Sequence, residues 1–344
     1  MIIEQVLFEP FTLKFKEPFV FGGNSLTHKE GFHLTVRFGR FTGKGEISIL
    51  TPFGTPSAEE AEKFFLEAES FLMHRNPVDI LSDLITGTHQ FPAVVESAVE
   101  QAVISLICNT AQVSPAELLN RKPAERVKVN GVVSSSDPLH CVAAARRLLQ
   151  NGITTIKVKT GQGDIQSDIA KISALREHFE DQITLRLDAN GSWSFEEAKI
   201  YLPLFEKYQI EYIEQPVRDC SFFSRLREHT SIKLAADECV EDYQTAVSLI
   251  QNRVPDVMII KPLLIGGIRK SLAIAKLAKD AGIETVITTS LDGAAGRRTA
   301  VVTAALIESD MSHGLSTGFL FEQDPEPDYY IPGNGYIDTH DLRI

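Results

Sequence analysis

Five short runs of strand-forming residues in this chain end in charged side chains, and they recur at close to one strand-plus-helix unit. The ends read Lys157-Val158-Lys159, Arg186-Leu187-Asp188-Ala189-Asn190, Tyr212-Ile213-Glu214-Gln215-Pro216, Ala235-Ala236-Asp237-Glu238 and Met258-Ile259-Ile260-Lys261-Pro262. From Lys159 to Asp188, Glu214, Asp237 and Lys261 the steps are 29, 26, 23 and 24 residues. Parallel strands need a crossover of a dozen or more residues, usually a helix, and this spacing supplies one each time. Eight such runs lie at 127–133, 154–158, 183–187, 211–213, 232–236, 257–260, 285–288 and, weakly, 315–317. Helical stretches separate the earlier ones, such as 138–150 with Asp137 as N-cap and Gly152 as its end, and 194–208 with Glu196 and Glu197 in the first turn. The pattern predicts an α/β chain with a closed parallel barrel at 123–318.

The residues before the barrel follow another rule. Positions 2–50 alternate apolar and polar, as in Phe32-His33-Leu34-Thr35-Val36-Arg37-Phe38, with turn signals at Phe21-Gly22-Gly23-Asn24 and Gly43-Lys44-Gly45. A capping-box-like start at Ser57-Ala58-Glu59-Glu60 and a helical pattern from Phe91 to Cys108 follow. Residues 1–122 therefore read as an α+β cap, with 319–344, rich in Pro and Gly, returning to it. With 34 Lys and Arg against 46 Asp and Glu, the net charge of −12 disfavours nucleic acid and anionic membrane as partners. No window approaches 18 uninterrupted apolar residues, and the N-terminus lacks a basic segment before an apolar one, so a cytoplasmic location is expected. Cys108, Cys141, Cys220 and Cys239 form no CxxC pair and read as reduced thiols. Homo-oligomerisation is compatible with all of this.

Barrel enzymes place their chemistry at the C-terminal ends of the strands. There Asp188, Glu214 and Asp237 would offer three hard oxygen ligands, the set that suits magnesium, with manganese as an alternative. No His or Cys occupies an equivalent strand end, which disfavours zinc. Lys159 and Lys261 flank the acids. An ammonium near a cation and a second lysine shifts toward its neutral form, so Lys159 becomes a candidate base for a carbon acid, with Lys157 pushing the same way. Arg186 and Glu238 read as outer-face ion-pairing residues, and Asn190 and Gln215 as either supporting groups or loop residues. The loops at 18–25 and 50–57 are candidates to close over the site. Gly161 and Gly163 hint at a dinucleotide loop, but Gln166 stands where the third glycine belongs.

Taken in order, these strand ends resemble the enolase superfamily, in its muconate-lactonizing subgroup. The resemblance covers cap and barrel and implies a (β/α)7β barrel under the α+β cap, Lys159 and Lys261 as the catalytic pair on opposite faces of a bound carboxylate, and an enediolate stabilised at the metal. Within the subgroup, residues 260–267, 288–297 and His313-Gly314-Leu315 resemble o-succinylbenzoate synthases. That implies syn-dehydration of 2-succinyl-6-hydroxy-2,4-cyclohexadiene-1-carboxylate in menaquinone biosynthesis, with Lys159 as base and then acid. Epimerisation of dipeptides or N-acylamino acids and muconate cycloisomerisation use the same residues. Dipeptide epimerases typically carry an Asp-x-Asp pair at the eighth strand, whereas residues 313–319 here hold no carboxylate. A non-catalytic binding protein is the remote alternative.

Overall fold

The computed structural model describes residues 1–21, 24–87 and 89–344. The chain begins with an antiparallel meander, β1 (Gln5–Phe21), β2 (Asn24–Phe38) and β3 (Phe41–Ser48), paired in that order. The first expected turn falls on Gly22 and Gly23, which lie outside the described residues. The second expectation is corrected: Gly43-Lys44-Gly45 runs inside β3, and the turn is at Gly39, whose φ is +54°. The two glycines serve packing instead. A Cβ at Gly43 would lie 2.0 Å from the carbonyl oxygen of Ala102, and one at Gly45 2.0 Å from that of Ala98. Their absence lets α1 (Ala93–Ala111) lie against the sheet; most of this helix is buried, Glu96 and Glu100 included.

Seven parallel strands follow: β4 (Asn130–Val133), β5 (Thr155–Lys159), β6 (Thr184–Asp188), β7 (Ile210–Glu214), β8 (Lys233–Ala236), β9 (Val257–Ile260) and β10 (Glu284–Ile287), each paired with the next. The seam between β10 and β4 is closed by the segment after Ser312, where Gly314 bridges Thr288 and His313 bridges Val129, both in parallel sense. The eighth strand position thus lies just before the expected run at 315–317. The first expected run divides as well: Arg126–Lys128 pairs antiparallel with Tyr336–Asp338, and only the second half joins the barrel. Helices α2 (Pro138–Gln150), α3 (Ile165–Phe179), α4 (Phe195–Phe205), α5 (Tyr243–Gln251), α6 (Ile268–Asp280) and α7 (Ala294–Leu306) alternate with the strands. Asp137 caps α2 as expected, and Ser194 caps α4 with Glu197 in a capping box.

Strand alternation fills the barrel. Tyr212, Ala235, Val257, Ile259 and Val286 form a buried cluster of their own, and they share parity with Glu214, Asp237, Lys261 and Thr288 nearer the C-terminal rim. Cap and barrel meet at the start of α7. The Glu46 carboxylate, from β3, accepts the N–H groups of Gly293 at 2.8 Å and Gly296 at 2.7 Å, and Asp324 accepts that of Ala294 at 2.7 Å. Acidic groups suit the positive end of a helix. The C-terminal segment runs back along the cap, where Phe321 bridges Phe15. Among the described residues no helix is long and apolar enough to cross a membrane.

Candidate active site

Register sets the rim. Lys159 is opposite Asp188 on the neighbouring strand, Asp188 is opposite Glu214, and Glu214 is opposite Ala235, two residues before Asp237. Each step keeps the side chains on the inner face, so lysine and acids meet in a row. Lys159 Nζ donates to Asp188 Oδ2 at 2.7 Å and to Asn190 Oδ1 at 2.8 Å. Lys157 Nζ stands 2.9 Å from both Asp188 Oδ2 and Glu214 Oε1. Lys261 Nζ pairs with Asp237 Oδ1 and faces the Phe53 ring of the loop after β3. All seven of the expected residues, Lys157, Lys159, Asp188, Asn190, Glu214, Asp237 and Lys261, therefore line one rim.

The carboxylates hold Lys157 and Lys261 in their charged form. Burial would lower Lys157 and Lys261, but the carboxylates outweigh it: Asp188 and Glu214 hold Lys157 well above its ordinary value, and Asp237 and Glu238 raise Lys261. Burial would raise Asp188, yet Lys157 and Lys159 hold it below the usual carboxylate range. Glu214 is pushed up to about 8 by burial and then by Asp188 and Asp237.

Among the described residues, no group of three or more His, Cys, Asp or Glu side chains is gathered closely enough to hold a metal ion; the ammoniums sit between the acids. The donor set nevertheless fits a hard divalent cation. Three buried carboxylates share the rim, and a cation would offset the repulsion that raises Glu214.

Several residues depart from expectation. Arg186 faces inward and is fully buried, bound to Glu211, to the Ser312 carbonyl oxygen at 2.6 Å and stacked 4.7 Å over Tyr212. It shares parity with Asp188, which places it on the same inner face. Glu238 is corrected too: it turns to the rim, where Oε1 accepts Asn190 Nδ2 at 2.8 Å, and burial followed by Asp237 and Asp188 lifts it to about 7. Gln215 is fully buried and accepts the N–H groups of Asp237 at 3.0 Å and Cys239 at 3.3 Å, tying the end of β7 to the start of the next loop. Beside it Cys220 and Cys239 form a disulfide, with Cα atoms 6.3 Å apart, so two of the four cysteines are not free thiols. Beside Lys159, Lys171 donates to the Lys159 carbonyl at 2.9 Å and pairs with Asp168, which also accepts Gly161 N–H. This buried pair takes up the loop that hinted at a dinucleotide, and only its i,i+3 spacing was visible beforehand.

Residues 140–342 match the family model described as enolase C-terminal domain-like. The chain belongs to this family. Among curated relatives, a D-Ala-D/L-Ala epimerase of Cytophaga hutchinsonii is 29% identical over 94% of this chain and 89% of its own length. An o-succinylbenzoate synthase of Thermobifida fusca is 29% identical over 64% of this chain and 68% of its own. Among solved structures, a dipeptide epimerase from Enterococcus faecalis, complexed with Mg and the dipeptide L-Leu-L-Tyr, superposes with a TM-score of 0.89 at 25% identity, covering 98% of this chain and 97% of that one. The chain is thus an enolase-superfamily enzyme, and its barrel with an N-terminal cap is the architecture of that superfamily.

Proposed function

We propose that this enolase-superfamily chain removes the α-proton of a carboxylate substrate with the help of magnesium, and that its reaction is syn-dehydration of 2-succinyl-6-hydroxy-2,4-cyclohexadiene-1-carboxylate to o-succinylbenzoate. Asp188, Glu214 and Asp237 would hold the ion; bound there it stabilises the negative charge that develops on the substrate carboxylate. Lys159 takes the α-proton: the C–H bond breaks, its electron pair enters the enediolate, and the proton goes to Nζ. The same ammonium then gives that proton to the β-hydroxyl, which leaves as water from the same face. Lys261, opposite, contributes a positive charge beside the intermediate. The Phe53 ring faces the Lys261 ammonium.

The observation that carries the finer reading is the end of strand eight. Ser316 and Thr317 stand there, and the four acids of 318–328 are all engaged: Glu322 with Lys14, Asp324 with the Ala294 N–H, Glu326 with Lys44 and Arg298, Asp328 with Arg297. A substrate ammonium group has no uncommitted carboxylate in this segment, whereas the succinyl substrate carries none.

Epimerisation of dipeptides is the second reading, favoured by the Cytophaga relative that matches nearly the whole chain and by the dipeptide bound in the Enterococcus structure. An assay of the purified protein with magnesium separates them. Formation of o-succinylbenzoate without exchange of dipeptide α-protons in deuterated water supports dehydration; exchange in a panel of dipeptides or N-acylamino acids without dehydration overturns it in favour of an epimerase. The absence of both dehydration and exchange with all of these would overturn both readings.

A further inference from the structure

Glu238 is the one rim carboxylate without an ammonium partner among the described residues. Its Oε1 accepts a single neutral donor, Asn190 Nδ2 at 2.8 Å, and its Oε2 is buried with no hydrogen-bond partner. Burying a carboxylate against one amide costs stability, so packing alone does not account for it. The same Asn190 is held in left-handed backbone, with φ +47°, and its own N–H donates to Asp188 Oδ1 at 3.2 Å. Strained backbone of this kind persists where the surroundings over-determine it.

The two contacts of Asn190 are chemically ordered. In its ionised form Glu238 can only accept, so it then admits the Nδ2 end of the amide and excludes the oxygen end. Oδ1 is thereby turned toward Lys159, whose Nζ donates to it at 2.8 Å and to Asp188 Oδ2 at 2.7 Å. A neutral amine has two N–H donors and one lone pair. With both donors held by Asn190 and Asp188, the lone pair can point in one direction only, away from both acceptors.

We propose that Glu238 is a positioning residue for Lys159: by fixing the orientation of the Asn190 amide it aims the lysine lone pair at the barrel mouth. The inference rests on Lys159 being the base. Glu238 reaches Asn190 across β7, from the loop after β8 to the loop after β6, and so couples two rim segments that do not pair with one another.

The test uses full-length protein labelled with carbon-13 at the lysine ε position, with the Lys159 and Lys261 signals assigned from Lys159→Arg and Lys261→Arg, together with α-proton exchange and turnover of 2-succinyl-6-hydroxy-2,4-cyclohexadiene-1-carboxylate in the presence of magnesium. Glu238→Leu and Asn190→Asp should move the Lys159 signal, and should lower kcat about ten- to a hundredfold with KM little changed. Asn190→Asp places two carboxylates against each other; adding Glu238→Gln restores a donor and an acceptor in reversed order, and the double variant should recover about tenfold of the loss. An unmoved Lys159 signal in folded Glu238→Leu, or a double variant no better than Asn190→Asp, overturns the inference. Retention of exchange by Lys159→Ala would instead overturn the assignment of the base, and the labelled-lysine spectra would still report on the positioning.

Discussion

The Lys261 ammonium lies 4.8 Å from the centroid of the Phe53 ring, so a residue of the cap covers one of the two lysines at the barrel mouth. The barrel supplies both lysines and the acids, and the cap adds the Phe53 ring. A cation over an aromatic face contributes about 0.5–2 kcal/mol. Phe53→Ala should therefore reduce kcat/KM by about three- to thirtyfold, and Phe53→Tyr should restore most of it. Equal steady-state constants for the alanine variant and the parent would show that the ring does nothing for Lys261.

Lys159→Ala should eliminate α-proton exchange, a loss of at least about a hundredfold for removing a general base. The fold should survive, because Lys157 still stands 2.9 Å from Asp188 Oδ2. Circular dichroism and the thermal midpoint check the second half of the statement; exchange at the parental rate would contradict the first.

Magnesium should raise the thermal midpoint of the parent in a concentration-dependent way, since a ligand that binds only the native state stabilises it by mass action. Asp188→Asn should need a higher magnesium concentration for the same shift. Identical titration curves for the two proteins would remove Asp188 from the ligand set.

His313 offers a pH experiment away from the rim. Its Nδ1 accepts the Ile287 N–H at 2.9 Å, and burial, followed by the Arg186 guanidinium, pushes the ring down to about 3 from an ordinary 6.5. The unfolded chain takes up a proton that the native ring refuses, so stability is intact above pH 6.5 and declines as the pH falls from there toward 3. The slope from this one group is about 1.4 kcal/mol per pH unit. His313→Asn, which keeps an acceptor for Ile287, should flatten the acid limb of a denaturation series by one proton. An unchanged slope would mean that other groups control it.

Reduction of the disulfide should lower the denaturant midpoint. Cys220 and Cys239 are 19 residues apart, and closing a loop of that size stabilises by about 3 kcal/mol in the chain-entropy model. Cys220→Ser should behave like the reduced parent. Coincident unfolding curves with and without dithiothreitol would rule the bond out as a contributor.

The rim was legible because parallel strands keep one parity and repeat at one interval, so Lys159, Asp188, Glu214, Asp237 and Lys261 stood out as polar groups at positions a packed interior rejects. Arg186 obeys the same parity and was misread as outward. Its burial beside Glu211 and Tyr212 depends on partners 25 and 26 residues away. Glu238 lies two residues past the end of β8, where alternation no longer decides direction. The disulfide joins loops after adjacent strands, a proximity that exists only once the barrel order is known. In the cap, Gly43 and Gly45 carry the composition of a turn, and only the helix pressed against them explains why they belong to a strand.

The reach of Glu46 into the first turn of α7 has a consequence for how this protein could be divided. A fragment starting at the first barrel strand would leave the amides of Gly293 and Gly296 facing nothing, at the same strand end that supplies Thr288 to the mouth. Modular exchange of barrels between such chains would then have to transplant the acidic plug together with the socket it fills.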